Sequence, residues 1–214
     1  LQQTPAGYPI AKLVNANDAL VYGIELDMGA TLFEAVHLTL NASWVESEYL
    51  DFKVGLPFTI RKPKPGGGYF DPISFLQEFD YSGNPLIASP RFSVTGSIDY
   101  KIPLPWQIGG RDLGYITPRF SFSWKDDVFY DATSGQGALQ NFPTATFGQT
   151  AFWIFNGGIS WLSSDERVEV TGWVHNATNE FYKTQSFDLS RGYRILLDAY
   201  ADPRTYGVTV SVAF

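Results

Sequence analysis

The sequence predicts an all-β protein whose strands form an antiparallel, up-and-down transmembrane β-barrel wall. Three observations lead to this fold class. Apolar and polar residues alternate strictly in several segments, short and long connections follow one another between these segments, and the composition is unusual. Of the 214 residues, 16% are aromatic and 17% are charged, whereas soluble domains carry about 25% charged residues. This balance suits a wall with one apolar side and one mildly polar side.

The alternation predicts about seven strands, because side chains of a strand point to opposite faces with a period of two. The segments, in chain order, are 20–28, 36–44, 91–102, 116–125, 153–161, 167–175 and 204–214. In the last segment one face carries Tyr206, Val208, Val210, Val212 and Phe214, and the other carries small or polar residues. Taken alone, this pattern fits a soluble β-domain and a membrane barrel equally well. Residues 1–18 show no periodicity and are predicted to be a loop, and no segment shows a helical period.

The connections and the tryptophans favour the membrane barrel. Short connections are expected at 31–35, 103–112 and 163–166, and long ones at 50–90, 131–149 and 180–203. Outer-membrane barrels place short turns on the periplasmic side and long loops outside the cell. Trp124, Trp153 and Trp161 lie near strand ends on apolar faces, as interfacial aromatic residues do. Charged residues occupy the reverse faces and are expected to form cross-strand pairs in the lumen; they are Glu25, Asp27, Arg91, Asp99, Lys101, Arg119 and Lys125.

Composition also excludes several classes of protein. A net charge of −7 and a pI near 4.7 argue against a nucleic-acid partner. The absence of cysteine removes disulfide frameworks and thiolate metal sites. No run of residues is long and apolar enough to predict a transmembrane helix. No cofactor is expected, and no convergent set of Ser, His and Asp points to an enzyme.

Four motifs resemble the carboxyl-terminal barrel of the TonB-dependent outer-membrane receptors. Val21–Leu26 is similar to the family's VYGxELE strand, and Asn84–Pro90 to its loop before a descending strand. Val174–Tyr182 is similar to VxNLTDxxY, with Ala177 and Asn179 where the family more often has Leu and Asp. Pro203–Val208 leads to a terminal Phe214. The motif residues singled out by the resemblance are Asn176, Thr178, Tyr182, Arg204, Tyr206, Gly207 and Phe214.

The resemblance implies a receptor that imports a scarce nutrient, such as a ferric siderophore, through the outer membrane of a Gram-negative bacterium. The family's barrel has 22 strands and encloses a plug. About seven strands cannot complete such a barrel, so residues 1–214 are expected to be its carboxyl-terminal segment, without the plug and the earlier strands. The implied partners are outer-membrane lipid, the missing plug and strands of the same parent, the TonB complex acting through that plug, and a small-molecule substrate.

Candidate binding residues lie in the first long connection. Basic and aromatic residues around the KPKPGGG run could help to capture a ferric chelate, although an extracellular loop without a binding role would suit the same composition; they are Arg61, Lys62, Lys64, Tyr69 and Phe70. Gly66–Gly68 lacks the context of a phosphate-binding loop and predicts a flexible turn. His37 and His175 are expected to form hydrogen bonds on the polar face. Asp126 and Asp127 are expected at a solvated strand end. The Asn41 and Asn176 sequons fall on predicted strands and are not expected to be glycosylated.

Two other functions stay open. A small, self-contained outer-membrane barrel could serve as an adhesin, a structural protein or a passive pore. A soluble, lipocalin-like binding module would also use alternating strands, although exposed aromatic faces argue against it. Neither alternative requires a plug.

Overall fold

A computed structural model of the chain describes residues 2–3, 9–10, 15–60, 62–71, 73–132, 144–188 and 195–214. Its strands, in chain order, are β1 (Gln2–Gln3), β2 (Pro9–Ile10), β3 (Asp18–Leu32), β4 (Val36–Asp51), β5 (Lys53–Ile60), β6 (Ile73–Asp80), β7 (Phe92–Tyr100), β8 (Ile102–Pro103), β9 (Gln107–Ile108), β10 (Arg111–Asp112), β11 (Tyr115–Lys125), β12 (Val128–Phe129), β13 (Gly148–Gln149), β14 (Phe152–Leu162), β15 (Val168–His175), β16 (Lys183–Asp188), β17 (Leu196–Tyr200) and β18 (Thr205–Val212). One helical turn, α1 (Thr144–Phe147), precedes β13.

The main sheet is an antiparallel meander in the order β18-β15-β14-β11-β7-β4-β3, and β8 extends it by pairing with β11. We call the seven strands of this order the long strands; each of them pairs with the long strands next to it in the sequence. Seven of the strands are therefore the seven that the alternation predicts, and the predicted fold class is confirmed. No helix among the described residues is long and apolar enough to cross a membrane.

The predicted alternation of short and long connections is confirmed. Since successive strands of the sheet are antiparallel, all long connections lie at one end of the sheet and all short ones at the other. The long connections are not simple loops, however. The first contains the hairpin β5/β6, the third contains β16/β17, and β12 pairs with β13 in the second. The connection predicted at 50–90 is shorter than expected at its start, because β4 continues to Asp51. Apolar residues also recur at alternate positions of 54–60, within β5.

The predicted loop at 1–18 is also only partly correct. Two-residue strands β1 and β2 pair within it, and β3 already begins at Asp18. The remaining residues of 1–14, and residues 133–143 of the second long connection, lie outside the described part of the chain.

The apolar face of the sheet is left uncovered by the described residues. Even on inner strands, Ile98, Phe120 and Ile159 are 41%, 45% and 53% exposed. The buried aromatic cluster lies instead at the end with the long connections, where Tyr49 and Phe52 pack with Phe79 and Tyr81 of the β5/β6 hairpin. The hairpin thus has a core of its own at its base, whereas the sheet has none on its apolar face.

Two glycines let aromatic rings lie flat across a neighbouring strand. Gly207 pairs with Trp173 on the polar face, and a Cβ at Gly207 would lie 2.6 Å from Trp173 Cζ2. Gly96 pairs with Phe122 on the apolar face, and its Cβ would lie 2.7 Å from the Phe122 ring. A side chain at either position would displace a ring that fills the space above the strand.

We expect Gly207→Ala to destabilise the protein by about 1–3 kcal/mol, because the added methyl group overpacks against the Trp173 indole. Gly172→Ala is the matched control, since no atom lies within 4 Å of a Cβ there. The measurement is the urea midpoint of unfolding in lipid vesicles, followed by the gel mobility shift of the folded form. In a Trp173→Ala background the cost of Gly207→Ala should vanish; an unchanged cost would contradict the overpacking account.

Candidate functional site

Cross-strand hydrogen bonds organise the polar face of the sheet. Thr39 Oγ1 lies 2.7 Å from Ser97 Oγ, and Ser43 Oγ lies 2.7 Å from Ser93 Oγ, each between residues paired across β4 and β7. His37 Nδ1 lies 3.0 Å from Thr31 Oγ1, across β3 and β4. The small hydroxyl residues of the sequence therefore meet as rungs because the strand register places them opposite each other.

Two charged residues on the same face pair as expected. Arg119 of β11 contacts Asp99 of β7 through Nε at 2.5 Å and Nη2 at 3.1 Å. Arg91 forms an ion pair with Glu46, which is paired with Tyr22 and therefore shares the apolar face by alternation. The Arg119 side chain is 66% exposed, so the pair fixes the arginine geometry while its surface stays open to solvent. The predicted cross-strand charge pairing on the polar face is confirmed for Arg119 and Asp99.

Next to this ion pair the polar face forms a concave region of about 480 Å³. Its lining includes Arg119, Ser121, Asn156, Glu169, Trp173 and His175. The Trp173 indole donates a hydrogen bond to Thr209 Oγ1 at 3.2 Å, and its ring lies 4.9 Å from that of His175. Mixed charges, an amide and an aromatic ring suit contact with a polar surface or solute more than they suit catalysis.

The candidate binding residues of the first long connection come together at the tip of the β5/β6 hairpin. Tyr69 and Phe70 are 63% and 52% exposed, and Lys64 Nζ lies 5.4 Å from the centre of the Phe70 ring. The Phe70 amide donates to the Lys62 carbonyl oxygen at 2.9 Å, which pairs the two residues across the hairpin. Gly66, Gly67 and Gly68 all have positive φ and form the turn between them. Arg61 lies outside the described residues.

Asn176 connects β15 to the beginning of β18 and is 5% exposed. Its Nδ2 donates to the carbonyl oxygens of Glu180 at 2.9 Å and Asp202 at 3.3 Å, and its Oδ1 accepts from the Glu180 amide at 2.8 Å. Its φ of 50° lies in the left-handed region, which asparagine tolerates better than most residues. The asparagine that carries the motif therefore has a structural role, and its burial makes glycosylation there unfavourable.

The other motif residues divide between structure and surface. The Arg204 amide donates to Asn179 Oδ1 at 2.9 Å, and Tyr182 stacks on Phe152 at 4.4 Å. Gly207 accommodates Trp173, as described above. The remaining three motif residues are exposed, and the contacts of the described residues place none of them in the concave region or at the hairpin tip; they are Thr178, Tyr206 and Phe214.

The structure shows an ion-pair cluster among the long connections that the sequence analysis missed. Lys183 Nζ lies 2.9 Å from Asp198 Oδ2 across the β16/β17 hairpin, and Ser186 Oγ donates to Asp198 Oδ1 at 2.7 Å. Lys183 Nζ also reaches the Thr146 carbonyl oxygen at 3.3 Å, which ties the hairpin to α1. No sequence signal joined Lys183 to Asp198, because both fall in a connection that was predicted without strands.

The environment of Asp198 shifts its acidity. Burial alone would raise the pKa of this carboxyl group, but hydrogen bonds from Lys183 and Ser186, together with the lysine charge, lower its pKa below the ordinary value. The cluster therefore holds its charged form and stabilises the hairpin while Asp198 is ionised.

The remaining candidates are structural as far as the described residues show. Asp127 Oδ1 accepts a hydrogen bond from the Ala151 amide at 2.8 Å, and Asp126 Oδ1 accepts one from the Asp127 amide at 2.9 Å. Both aspartates thus cap the chain at the end of β11. Within the described ranges, no group of three or more His, Cys, Asp or Glu residues is placed to hold a metal ion.

Comparison with known proteins extends the description of the fold. No protein-family model and no curated protein matches the sequence. Among solved structures, the ferric yersiniabactin uptake receptor FyuA from Yersinia pestis aligns with a TM-score of 0.63 and 16% identity, over 92% of this chain and 24% of FyuA. The chain thus spans about a quarter of that receptor's length. The predicted likeness to the barrel of outer-membrane receptors is confirmed as a likeness of fold.

Two further structures align less closely. FpvAI, solved in complex with pyocin S2, gives a TM-score of 0.49 at 12% identity, over 90% of this chain and 18% of FpvAI. BauA, the ferric preacinetobactin receptor from Acinetobacter baumannii, gives 0.43 at 14% identity, over 90% of this chain and 29% of BauA.

We expect acid to loosen the β16/β17 hairpin. Because the folded-state pKa of Asp198 is lower than its unfolded value of about 4, its contribution to stability is present above that value and is lost as pH falls through the folded pKa. Hydrogen exchange of the β16 and β17 amides, corrected for intrinsic rates, should therefore accelerate as the pH falls below about 4 and through the lowered folded-state pKa of Asp198.

Asp198→Asn should accelerate exchange at neutral pH and flatten its acid dependence, whereas Asp202→Asn, the same change at an exposed position nearby, should do neither. If the exchange rates of the two variants depend on pH in the same way, ionisation of Asp198 does not determine the acid stability of the hairpin.

Proposed function

We propose that this chain forms part of the wall of an outer-membrane receptor that takes up a scarce nutrient, such as a ferric siderophore, by active transport. The observation that carries the proposal is the alignment of nearly the whole chain with part of FyuA, an uptake receptor, at a TM-score of 0.63. The open apolar face and the placement of all long connections at one end agree with a membrane wall.

In this proposal the apolar face contacts lipid and the polar face lines the lumen. A face on which Ile98, Phe120 and Ile159 are each at least 41% exposed would be unfavourable in water over a whole sheet. The hydroxyl rungs and the Arg119–Asp99 pair would lie inside, where polar contacts are satisfied. The hairpins β5/β6 and β16/β17 would project outside the cell, and the turns after β3 and β14 would face the periplasm.

The two edges of the sheet support further strands in the same barrel. Among the described residues, β3 pairs only with β4 and β18 pairs only with β15. Each unpaired backbone group left in hydrocarbon costs several kcal/mol. We therefore propose that β3 and β18 pair with other strands of the parent protein, and that the polar face contacts a plug through which a TonB complex would act.

The β5/β6 tip is the proposed point of first contact with substrate. Lys62 and Lys64 bring positive charge to a chain whose net charge is −7, and Tyr69 and Phe70 offer exposed rings beside them. Cations and aromatic faces together attract an anionic, ring-bearing chelate. The role of the tip is binding, and no chemical step is assigned to the chain.

The proposed orientation predicts which residues can be labelled from outside the cell. The chain has no cysteine, so single cysteines at Lys64 and Ser164 can be compared in the protein expressed from its own gene. A membrane-impermeant maleimide should label Lys64→Cys on intact cells and Ser164→Cys only after the outer membrane is permeabilised. The unsubstituted protein gives the background; labelling of Ser164→Cys on intact cells would reverse the orientation.

Uptake assays test the function itself. Deletion of the gene should abolish energy-dependent uptake of at least one member of a panel of radiolabelled ferric siderophores. In the restored strain, the double variant Lys62→Glu/Lys64→Glu should weaken binding of that siderophore about tenfold or more, because two attractive charges become repulsive.

Lys53→Glu is the control for position, because it reverses one lysine charge at the base of the same hairpin, where Lys53 Nζ is 4.0 Å from Asp80. The single variants Lys62→Glu and Lys64→Glu, which make the same charge change at the tip, should each weaken binding more than Lys53→Glu does. Uptake that persists in the deletion strain, with a change only in passive leakage of small solutes, would favour the passive pore instead.

A further inference from the structure

The connection between β8 and β11 carries a structure that the other two short connections lack. After Leu104 the chain forms a two-stranded ribbon in which β9 and β10 pair. Gly109 and Gly110, with φ of 60° and 77°, form its turn. The predicted turn at 103–112 is thus a small hairpin at the end of the sheet opposite β5/β6 and β16/β17.

The ribbon has one polar face and one exposed, largely apolar face. Gln107 is paired with Asp112, and its Nε2 donates to Asp112 Oδ1 at 2.8 Å, so the polar face satisfies itself. Ile108 is paired with Arg111 on the other face, and Trp106 shares that face by alternation. Trp106 and Ile108 are 62% and 70% exposed.

Arg111 brings a positive charge to the apolar side of the ribbon. It is exposed, and none of the ion pairs in the described part of the chain includes it. An indole, an aliphatic chain and a guanidinium therefore lie together on one exposed surface. Guanidinium groups bind phosphate through paired hydrogen bonds, and tryptophan favours the boundary between headgroups and hydrocarbon.

The base of the ribbon is continuous with the apolar face of the sheet. Trp161, on the apolar face of β14, donates from Nε1 to the Leu113 carbonyl oxygen at 2.8 Å. The Leu104 amide donates to the Gly114 carbonyl oxygen at 2.9 Å, which closes the neck of the ribbon. A surface that faced lipid along the strands would therefore meet the headgroup layer at Trp106, Ile108 and Arg111.

We propose that this ribbon is a membrane anchor that binds phospholipid headgroups of the periplasmic leaflet. Trp106 and Ile108 insert at the boundary between headgroups and acyl chains, and Arg111 binds lipid phosphate. The inference rests on the proposed position of the sheet in the outer membrane, and it adds a lipid-binding site beyond the strands themselves. The occupant is lipid rather than a protein, because the surface continues the lipid-facing side and its charge complements phosphate.

The test uses the full-length protein in nanodiscs of phosphatidylethanolamine and phosphatidylglycerol, with a bimane fluorophore on a single cysteine. Lipids carrying a nitroxide on the headgroup should quench the label at Ile108→Cys at least twofold more than the label at Ser164→Cys, on another short connection. Iodide in the water should show the opposite order. Adding Trp106→Ala and Arg111→Gln should raise iodide quenching at position 108 at least twofold.

Two controls separate the possible failures. The label at Ile159→Cys, on the apolar face, should be quenched by lipids that carry the nitroxide on the acyl chain. If acyl-chain nitroxides quench the label at Ile159→Cys, but iodide quenches the label at position 108 as strongly as the label at position 164, the proposed lipid anchor is wrong and the proposed membrane position of the sheet is retained. If the nitroxide lipids do not quench the label at Ile159→Cys either, both the proposed anchor and the proposed membrane position of the sheet are wrong.

A third control tests the roles of Trp106 and Arg111. Gln107→Ala breaks the bond to Asp112 on the opposite face of the ribbon but leaves the lipid-binding side chains in place, so its effect on iodide quenching at position 108 should be small. An effect equal to that of the double variant would contradict direct binding by Trp106 and Arg111.

Discussion

Backbone hydrogen bonding within one continuous sheet is the interaction on which the rest of this structure depends. In the main sheet, whose order is β18-β15-β14-β11-β7-β4-β3, every strand except the edge strands β3 and β18 has partners on both sides. The sheet needs no core between layers, and its two faces are free to take different environments. The period of two then sorts the side chains, so that Ile98 and Phe120 lie on one face and Asp99 and Arg119 on the other.

The two ends of the sheet use this framework differently. At the end with long connections, aromatic packing around Phe52 and the Lys183–Asp198 pair give the hairpins their own stability, so that they can project beyond the sheet. At the other end the connections after β3 and β14 are tight, and only the β9/β10 ribbon extends further. Hairpins with packing contacts of their own suit the proposed capture of a substrate, and a ribbon that continues the apolar face suits the proposed contact with lipid.

The sequence predicts the sheet well because alternation is a local property. All seven long strands, their faces and the side of the long connections could be derived from patterns of about ten residues. Strand lengths were underestimated, since the outer parts of β3 and β4 pair beyond the region of clear alternation. The hairpins inside the long connections were missed because their packing depends on contacts between residues far apart in the sequence, such as Phe52 with Tyr81, and the alternation over 54–60 does not show which segment pairs with it.

The candidate site was predictable only in part. Composition pointed to Lys64, Tyr69 and Phe70, but only the β5/β6 pairing shows that they share a tip. The resemblance singled out Asn176 without indicating its function, which is to join Glu180 and Asp202 by hydrogen bonds. Contact between the tip residues and a substrate stays a prediction.

The central claim is that the two faces of one sheet meet two different solvents, lipid and water. Unfolding in lipid vesicles of Ile98→Arg and Thr95→Arg, which place the same charge on opposite faces of β7, tests it most directly. The account predicts a loss of about 2–4 kcal/mol for Ile98→Arg near the bilayer midplane and little change for Thr95→Arg. Equal losses for the two variants would contradict it.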